Sequence, residues 1–249
     1  MKNLKPVSFT NVEIKDNFWS ERLSVNREKT LKANYEHLKK QGRIDAWTWK
    51  KGQPNKPHIF WDSDVAKWIE AVSYHLANKR NKSLEKKVDH VVEIMAEAQL
   101  DNGYLNSYFI NVEPDRKWTN LRNEHELYCA GHLIEAAVAY YDATGKNKFL
   151  NIMSKYANLI NKIFGPNNNQ KKGYPGHQEI ELALVKLYRA TDNEKYLELS
   201  KFFLMQRGQD PHYFETEQKK FEKEYPGKFY MHPPLINRIY NQSHSLMSS

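Results

Sequence analysis

Ten consecutive residues, Asn123-Glu124-His125-Glu126-Leu127-Tyr128-Cys129-Ala130-Gly131-His132, gather two carboxylates, two imidazoles and the single thiol of the chain. Such a set could serve more than one chemistry. His125-Glu126-Leu127-Tyr128-Cys129 is one residue away from H-E-x-x-H, where two ligands one helical turn apart hold zinc and the glutamate activates water. On a helix, His125, Cys129 and His132 would share a face. Carboxylates could instead divide acid and base roles in glycoside cleavage. The candidates are Asp62, Asp64, Glu124, Glu126 and Glu179, and no spacing rule pairs them. Plainer roles compete with both. Asn123 with Glu126 three residues on can form a capping box, and a small thiol beside Ala130 and Gly131 reads as helix packing. The expectation is therefore no metal in this chain, with His125 as a ligand contact.

The elements that must position these side chains are helices. Leu127, Ala130, Ile134, Ala137 and Tyr141 recur at spacings of three and four, a buried stripe. Three segments then align without gaps: Ala77-Asn78-Lys79-Arg80-Asn81-Lys82-Ser83-Leu84, Ala143-Thr144-Gly145-Lys146-Asn147-Lys148-Phe149-Leu150 and Ala190-Thr191-Asp192-Asn193-Glu194-Lys195-Tyr196-Leu197. Each is a short polar turn between two helical patterns, the first members spanning about 63–77, 123–142 and 177–190 and the second about 82–99, 147–164 and 194–206. These are αα-hairpins, which bury their apolar faces only by stacking on one another. The fold class expected is all-α. The long loops 100–121 and 165–176 lie at one end of the stack and carry Asn102-Gly103-Tyr104-Leu105 and Gly173-Tyr174-Pro175-Gly176. Decorated loops on one rim build pockets, which favours an α/α toroid over an open solenoid.

Asp64 and His177 stand at equivalent positions ahead of their repeat alanines, and His125 stands about a turn further out. Asp64, His125 and His177 are thus expected on one rim, with Asp62, Glu124 and Glu179 nearby. Around the hairpins, Val7–Ile14 alternates like a short strand, and Phe18-Trp19 is expected to dock on the core. Residues 20–41 read as helix ended by Gly42, residues 45–60 as loop, and residues 207–240 as a long irregular connection rich in proline and aromatics. Asn241-Gln242-Ser243-His244 looks like the opening of a fourth hairpin.

Composition bounds the function class. The 249 residues carry six Trp and fifteen Tyr, so the chain is globular. The formal charge of +8 comes from lysines scattered over helix faces beside glutamates, the pattern of a solvated surface and not of a nucleic-acid stripe. No apolar run approaches the ~20 residues of a membrane span. The N-terminus lacks the apolar centre of a signal peptide, which makes the cytoplasm the expected compartment. One cysteine excludes an intrachain disulfide and a multi-cysteine zinc site within the chain.

Four motifs in order carry a resemblance: Phe60-Trp61-Asp62-Ser63-Asp64-Val65-Ala66-Lys67-Trp68, the stretch 123–132, Gly173-Tyr174-Pro175-Gly176-His177-Gln178-Glu179-Ile180-Glu181-Leu182-Ala183-Leu184, and Tyr240-Asn241-Gln242-Ser243-His244. The chain resembles glycoside hydrolase family 127, the β-L-arabinofuranosidase type, from about residue 8 to 244. The resemblance implies about half of an (α/α)6 toroid with a short N-terminal extended segment, and removal of terminal β-L-arabinofuranose with retention. It implies His125, His177 and His244 as sugar contacts, joined by Asp62, Asp64 and Glu124 on the same wall. It also implies, for full-length relatives, a cysteine nucleophile held on zinc by further cysteines and a glutamate, and a separate glutamate as acid/base. None of these has a counterpart here, and Cys129 matches a helix position.

After His244 the family pattern Pro-Val-Arg-Glu gives way to Ser245-Leu246-Met247-Ser248-Ser249. The expectation is a single incomplete toroid domain over 1–249, interrupted after about residue 244 and inactive alone. Its partners would be an L-arabinofuranosyl glycan and either a complementary fragment or a second copy. The alternative is a helical-repeat binding module without catalysis.

Overall fold

A computed structural model describes residues 6–230. Three αα-hairpins form the body: α3 (Trp61–Asn78) with α4 (Lys82–Ala98), α6 (Glu126–Thr144) with α7 (Lys148–Ile163), and α8 (Ile180–Thr191) with α9 (Glu194–Gln206). Ahead of them, α1 (Trp19–Val25) runs through a π turn, Asn26–Thr30, into α2 (Leu31–Lys40). A short α5 (Ser107–Asn111) lies in the first long loop, and α10 (Tyr213–Glu224) follows the third hairpin.

The repeated turns work by backbone and cap chemistry. Asn81 and Asn193 turn their side chains onto the first free amides of α4 and α9. Gly145 ends α6 at φ 73° and Asp192 ends α8 at φ 53°, both in the left-handed region that closes a helix. The hairpins then stack in two layers. In one, α3 packs on α6 and α6 on α8; in the other, α4 packs on α7 and α7 on α9. α6 is wedged between both neighbours and its own partner, which is why it is apolar nearly all round and buries Leu127, Ala130, Leu133, Ile134, Ala137 and Tyr140 together. This is an all-α partial toroid. On the outer side of the third hairpin Leu182, Leu204 and Met205 are exposed.

Several sequence expectations change. Val7–Ile14 makes no strand: with no neighbour to pair with among the described residues, it forms a single 3₁₀ turn, Phe9–Asn11, with extended residues on either side. Phe18 and Trp19 do not dock; each is more than half exposed, and the two rings pack edge to face on each other. The irregular connection after residue 207 contains α10, whose Phe214, Glu217 and Phe221 lie on one buried face. Pro211 and Pro226 flank this helix and do not interrupt it. Gly42 does end the second helix, at φ 75°. The start of a fourth hairpin at 241–244 lies outside the described residues.

Among the described residues, no helix is long and apolar enough to cross a membrane.

Candidate functional site

The rim where the hairpins begin is held by hydrogen bonds between loops. The amide of Gly176, ahead of α8, donates to the carbonyl of Leu121, ahead of α6, at 3.1 Å. The approach is so close that a Cβ on Gly176 would sit 2.1 Å from the Arg122 carbonyl oxygen. From behind, the Glu217 carboxylate of α10 accepts the amides of Leu121 at 2.9 Å and Arg122 at 3.3 Å, together with the hydroxyl of Tyr230 at 2.9 Å. Arg207, at the end of α9, donates to the Pro175 carbonyl at 2.8 Å and pairs with buried Glu181 at 2.9 Å. Two loops of separate hairpins are thereby clamped side by side.

The result is a cluster of imidazoles and aromatic rings. His125 and His177 lie 5.1 Å apart between ring centroids, and Tyr128 closes the triangle at 5.5 Å from the first and 5.3 Å from the second. Phe60 approaches His125 at 6.1 Å and His58 approaches Phe60 at 4.3 Å, extending the patch to the start of α3. Lys67 of α3 donates to the Tyr128 hydroxyl at 2.8 Å. His125 stands at the N-cap of α6 with φ 59°, in the left-handed region. Burial and the neighbouring His177 lower its pKa below the usual 6.5. Burial, with Arg207 and Arg122 behind it, does the same for His177. Both shifts favour the neutral ring, and a neutral imidazole presents one donor and one acceptor. A surface of ring faces and paired donors and acceptors can hold a polyhydroxylated ring by its apolar C–H face and its hydroxyls together.

The expected site residues separate into two groups. His125 and His177 meet in the cluster. Asp64 is paired with Arg43, whose guanidinium also lies over Trp61. Asp62 is buried, with one oxygen accepting the Ser107 hydroxyl at 2.5 Å and the other its amide at 2.8 Å. Burial pushes its carboxyl up to about 6. Glu124 is buried against Arg116. These two carboxylates hold the loops and do not face the cluster. His244 lies outside the described residues. The capping box is not made: the Asn123 amide donates to the Asn120 side chain, while Glu126 accepts the Tyr104 hydroxyl at 2.5 Å and the Trp118 amide at 2.6 Å.

Tyr128, His58 and Lys67 were not singled out in the sequence. Tyr128 could have been found as the residue one turn after His125 on the same helical face.

The zinc-like reading of His125, Cys129 and His132 fails on geometry. The Cys129 thiol points away, to the Ile59 carbonyl at 3.5 Å, and burial holds its pKa well above the usual value. His132 turns to Glu179, its Nδ1 3.0 Å from a carboxylate oxygen, with Glu135 alongside. Burial lowers the His132 pKa to about 4. Burial and the adjacent Glu135 raise Glu179 to about 8.

Comparisons with known proteins agree with this architecture. The profile of the β-L-arabinofuranosidase, GH127 catalytic domain matches residues 11–237. A non-reducing end β-L-arabinofuranosidase of Bifidobacterium longum subsp. longum is 40% identical over 165 residues, which is 65% of this chain and 25% of that enzyme. The crystal structure of a family 127 β-L-arabinofuranosidase from Geobacillus stearothermophilus T6 superposes with a TM-score of 0.81 at 49% identity, over 84% of this chain and 35% of that one. A second solved β-arabinofuranosidase of the family gives a TM-score of 0.76 at 41% identity, over 82% and 34%. The chain thus spans about a quarter of the length of the curated relative and about a third of the solved structures. With the match covering nearly all of its length, the chain belongs to glycoside hydrolase family 127.

Proposed function

We propose that this chain forms one wall of a pocket for a terminal L-arabinofuranosyl residue and does not itself carry the bond-breaking groups. The reading rests above all on the His125–Tyr128–His177 cluster, two neutral imidazoles and a tyrosine brought from two hairpins to one rim. The named activity of the relatives supplies the sugar class, and the charges at the rim suit a neutral ligand. Asp64 is committed to Arg43, and Asp62 and Glu124 are committed to Ser107 and Arg116.

The thiolate zinc centre implied by the family resemblance does not fit these residues. The chain has one cysteine, and its sulfur is buried against the Ile59 carbonyl.

The test is an NMR titration of the histidine-labelled chain with methyl β-L-arabinofuranoside. Perturbation of the His125 and His177 ring signals, with no L-arabinose released, is the expected result. Rings that ignore the sugar would remove the reading. Release of L-arabinose by the chain alone would show that the chemistry lies within it.

A further inference from the structure

About two turns along α6 from His125, a second group of side chains converges. His132 and Glu135 stand three residues apart on α6, facing the segment that enters α8, and Glu179 stands immediately before that helix. One ligand atom from each of the three lies within 4.8 Å of the other two. The backbone is shaped for this approach. A Cβ at Gly131 would lie 2.7 Å from Glu179 Cγ and 2.8 Å from the Ile180 amide nitrogen, so only glycine lets the start of α8 close on α6 here.

His132 Nδ1 and Glu179 Oε1 are shielded from solvent and face each other at 3.0 Å, with the Glu135 carboxyl beside Glu179. Two carboxylates this close and out of water must share either a proton or a cation. Ligand atoms held by one zinc-sized cation at about 2.0–2.2 Å stand about 3–3.5 Å apart; the His132–Glu179 pair stands at 3.0 Å and all three ligand atoms within 4.8 Å. One imidazole nitrogen with two carboxylate oxygens is a donor set that zinc-class cations accept, and three protein ligands leave one position open.

We propose that His132, Glu135 and Glu179 bind one divalent transition cation of the zinc class. Lys186 of α8 pairs with Glu135 and competes for it. Its side chain reaches solvent and can turn outward, so its charge weakens the site without blocking it. The cation would sit beneath the rim cluster, since the His132 ring packs 4.5 Å from that of Tyr128. The assignment does not depend on the sugar reading above, because its ligands are not the rim residues.

The experiment uses the purified 249-residue chain, stripped with chelator and titrated calorimetrically with Zn²⁺, and with Co²⁺ followed by visible absorption. One equivalent is expected, with a Co²⁺ band in the visible. His132→Ala and Glu179→Gln should each weaken binding about tenfold or more, Lys186→Met should tighten it, and His90→Ala, at an exposed position of α4, should change nothing. Melting curves check that the variants are folded. Should His132→Ala not fold, Glu179→Gln and Lys186→Met decide the matter, since both keep the size of the side chain. Absence of stoichiometric binding, or binding that survives Glu179→Gln and ignores Lys186→Met, overturns the assignment.

Discussion

His125 and His177 face each other with ring planes 37° apart and centroids 5.1 Å apart, although they open different hairpins. Each ring stands in a partly buried setting that disfavours its charged form, and His177 adds to that pressure on His125. The pair is useful to a neutral ligand while both rings are uncharged. Both pKa values lie below 6.5, so binding should hold through neutral pH. It should weaken only as acid protonates the rings and sets two like charges against each other.

Removing either imidazole should weaken binding of an arabinofuranoside about tenfold, on the order of 1.4 kcal/mol, without a large change in stability. His177→Ala is a suitable variant. At position 125 the choice matters, because φ is 59° there. Alanine in that conformation costs about 1–2 kcal/mol, whereas asparagine visits it readily. His125→Asn isolates the ring, and calorimetry with chemical denaturation separates affinity from folding.

Gly176→Ala should damage the site without touching a ligand contact. Its Cβ would meet the Arg122 carbonyl oxygen at 2.1 Å, so the two loops must part. The expected outcome is a destabilisation of about 1–3 kcal/mol, as for other forced overpacking, together with loss of the close approach of His125 and His177. Disappearance of nuclear Overhauser contacts between the two rings is the direct measurement. A variant that keeps those contacts would contradict the clamp described at the rim.

Arg207→Met should be the most costly single change. Arg207 and Glu181 are 3% and 5% exposed, and Arg207 also holds the Pro175 carbonyl. Breaking a buried pair from one side leaves a charge without a partner, at about 3–5 kcal/mol. Urea denaturation checks the size. The double variant Arg207→Met with Glu181→Leu should recover much of the loss, because no charge then remains buried.

Glu126 should make the chain less stable as pH rises. Burial raises its carboxyl to about 8 from an ordinary 4.5. Between those values the native state keeps a proton that the unfolded chain has released, so stability is greatest at the acid end of the window and falls toward its upper end. Asp62 and Glu217, raised to about 6 and about 7, act in the same direction. Glu126→Gln should flatten the fall by on the order of a few kcal/mol, because the amide can still accept from Trp118 and donate to Tyr104. Melting temperatures of both chains at pH 5 and pH 8 give the comparison.

The hairpins were legible because their signal is local and repeated. Apolar spacing marks each helix, and a polar turn of fixed length recurs three times. His125 and His177 were legible for the same reason, since counting from the repeat places them at helix starts. The fates of Asp62 and Glu124 were not, because nothing in sequence spacing says that Ser107 and Arg116 lie opposite them. α10 was hidden by its aromatics and flanking prolines, which read as loop until Phe214, Glu217 and Phe221 are seen to share one face. The meeting of His132 with Glu135 and Glu179 depends on a glycine contact between two hairpins, which no periodicity within one helix can disclose.

Cys129 has a use that owes nothing to chemistry at the rim. It is the only thiol in the chain, it is 1% exposed, and it lies in α6 against the segment that leads into α3. A thiol reagent can reach it only when those two elements separate. Its labelling rate therefore counts openings of the first and second hairpins, one molecule at a time, and provides a clock for the stacking that holds the arc together.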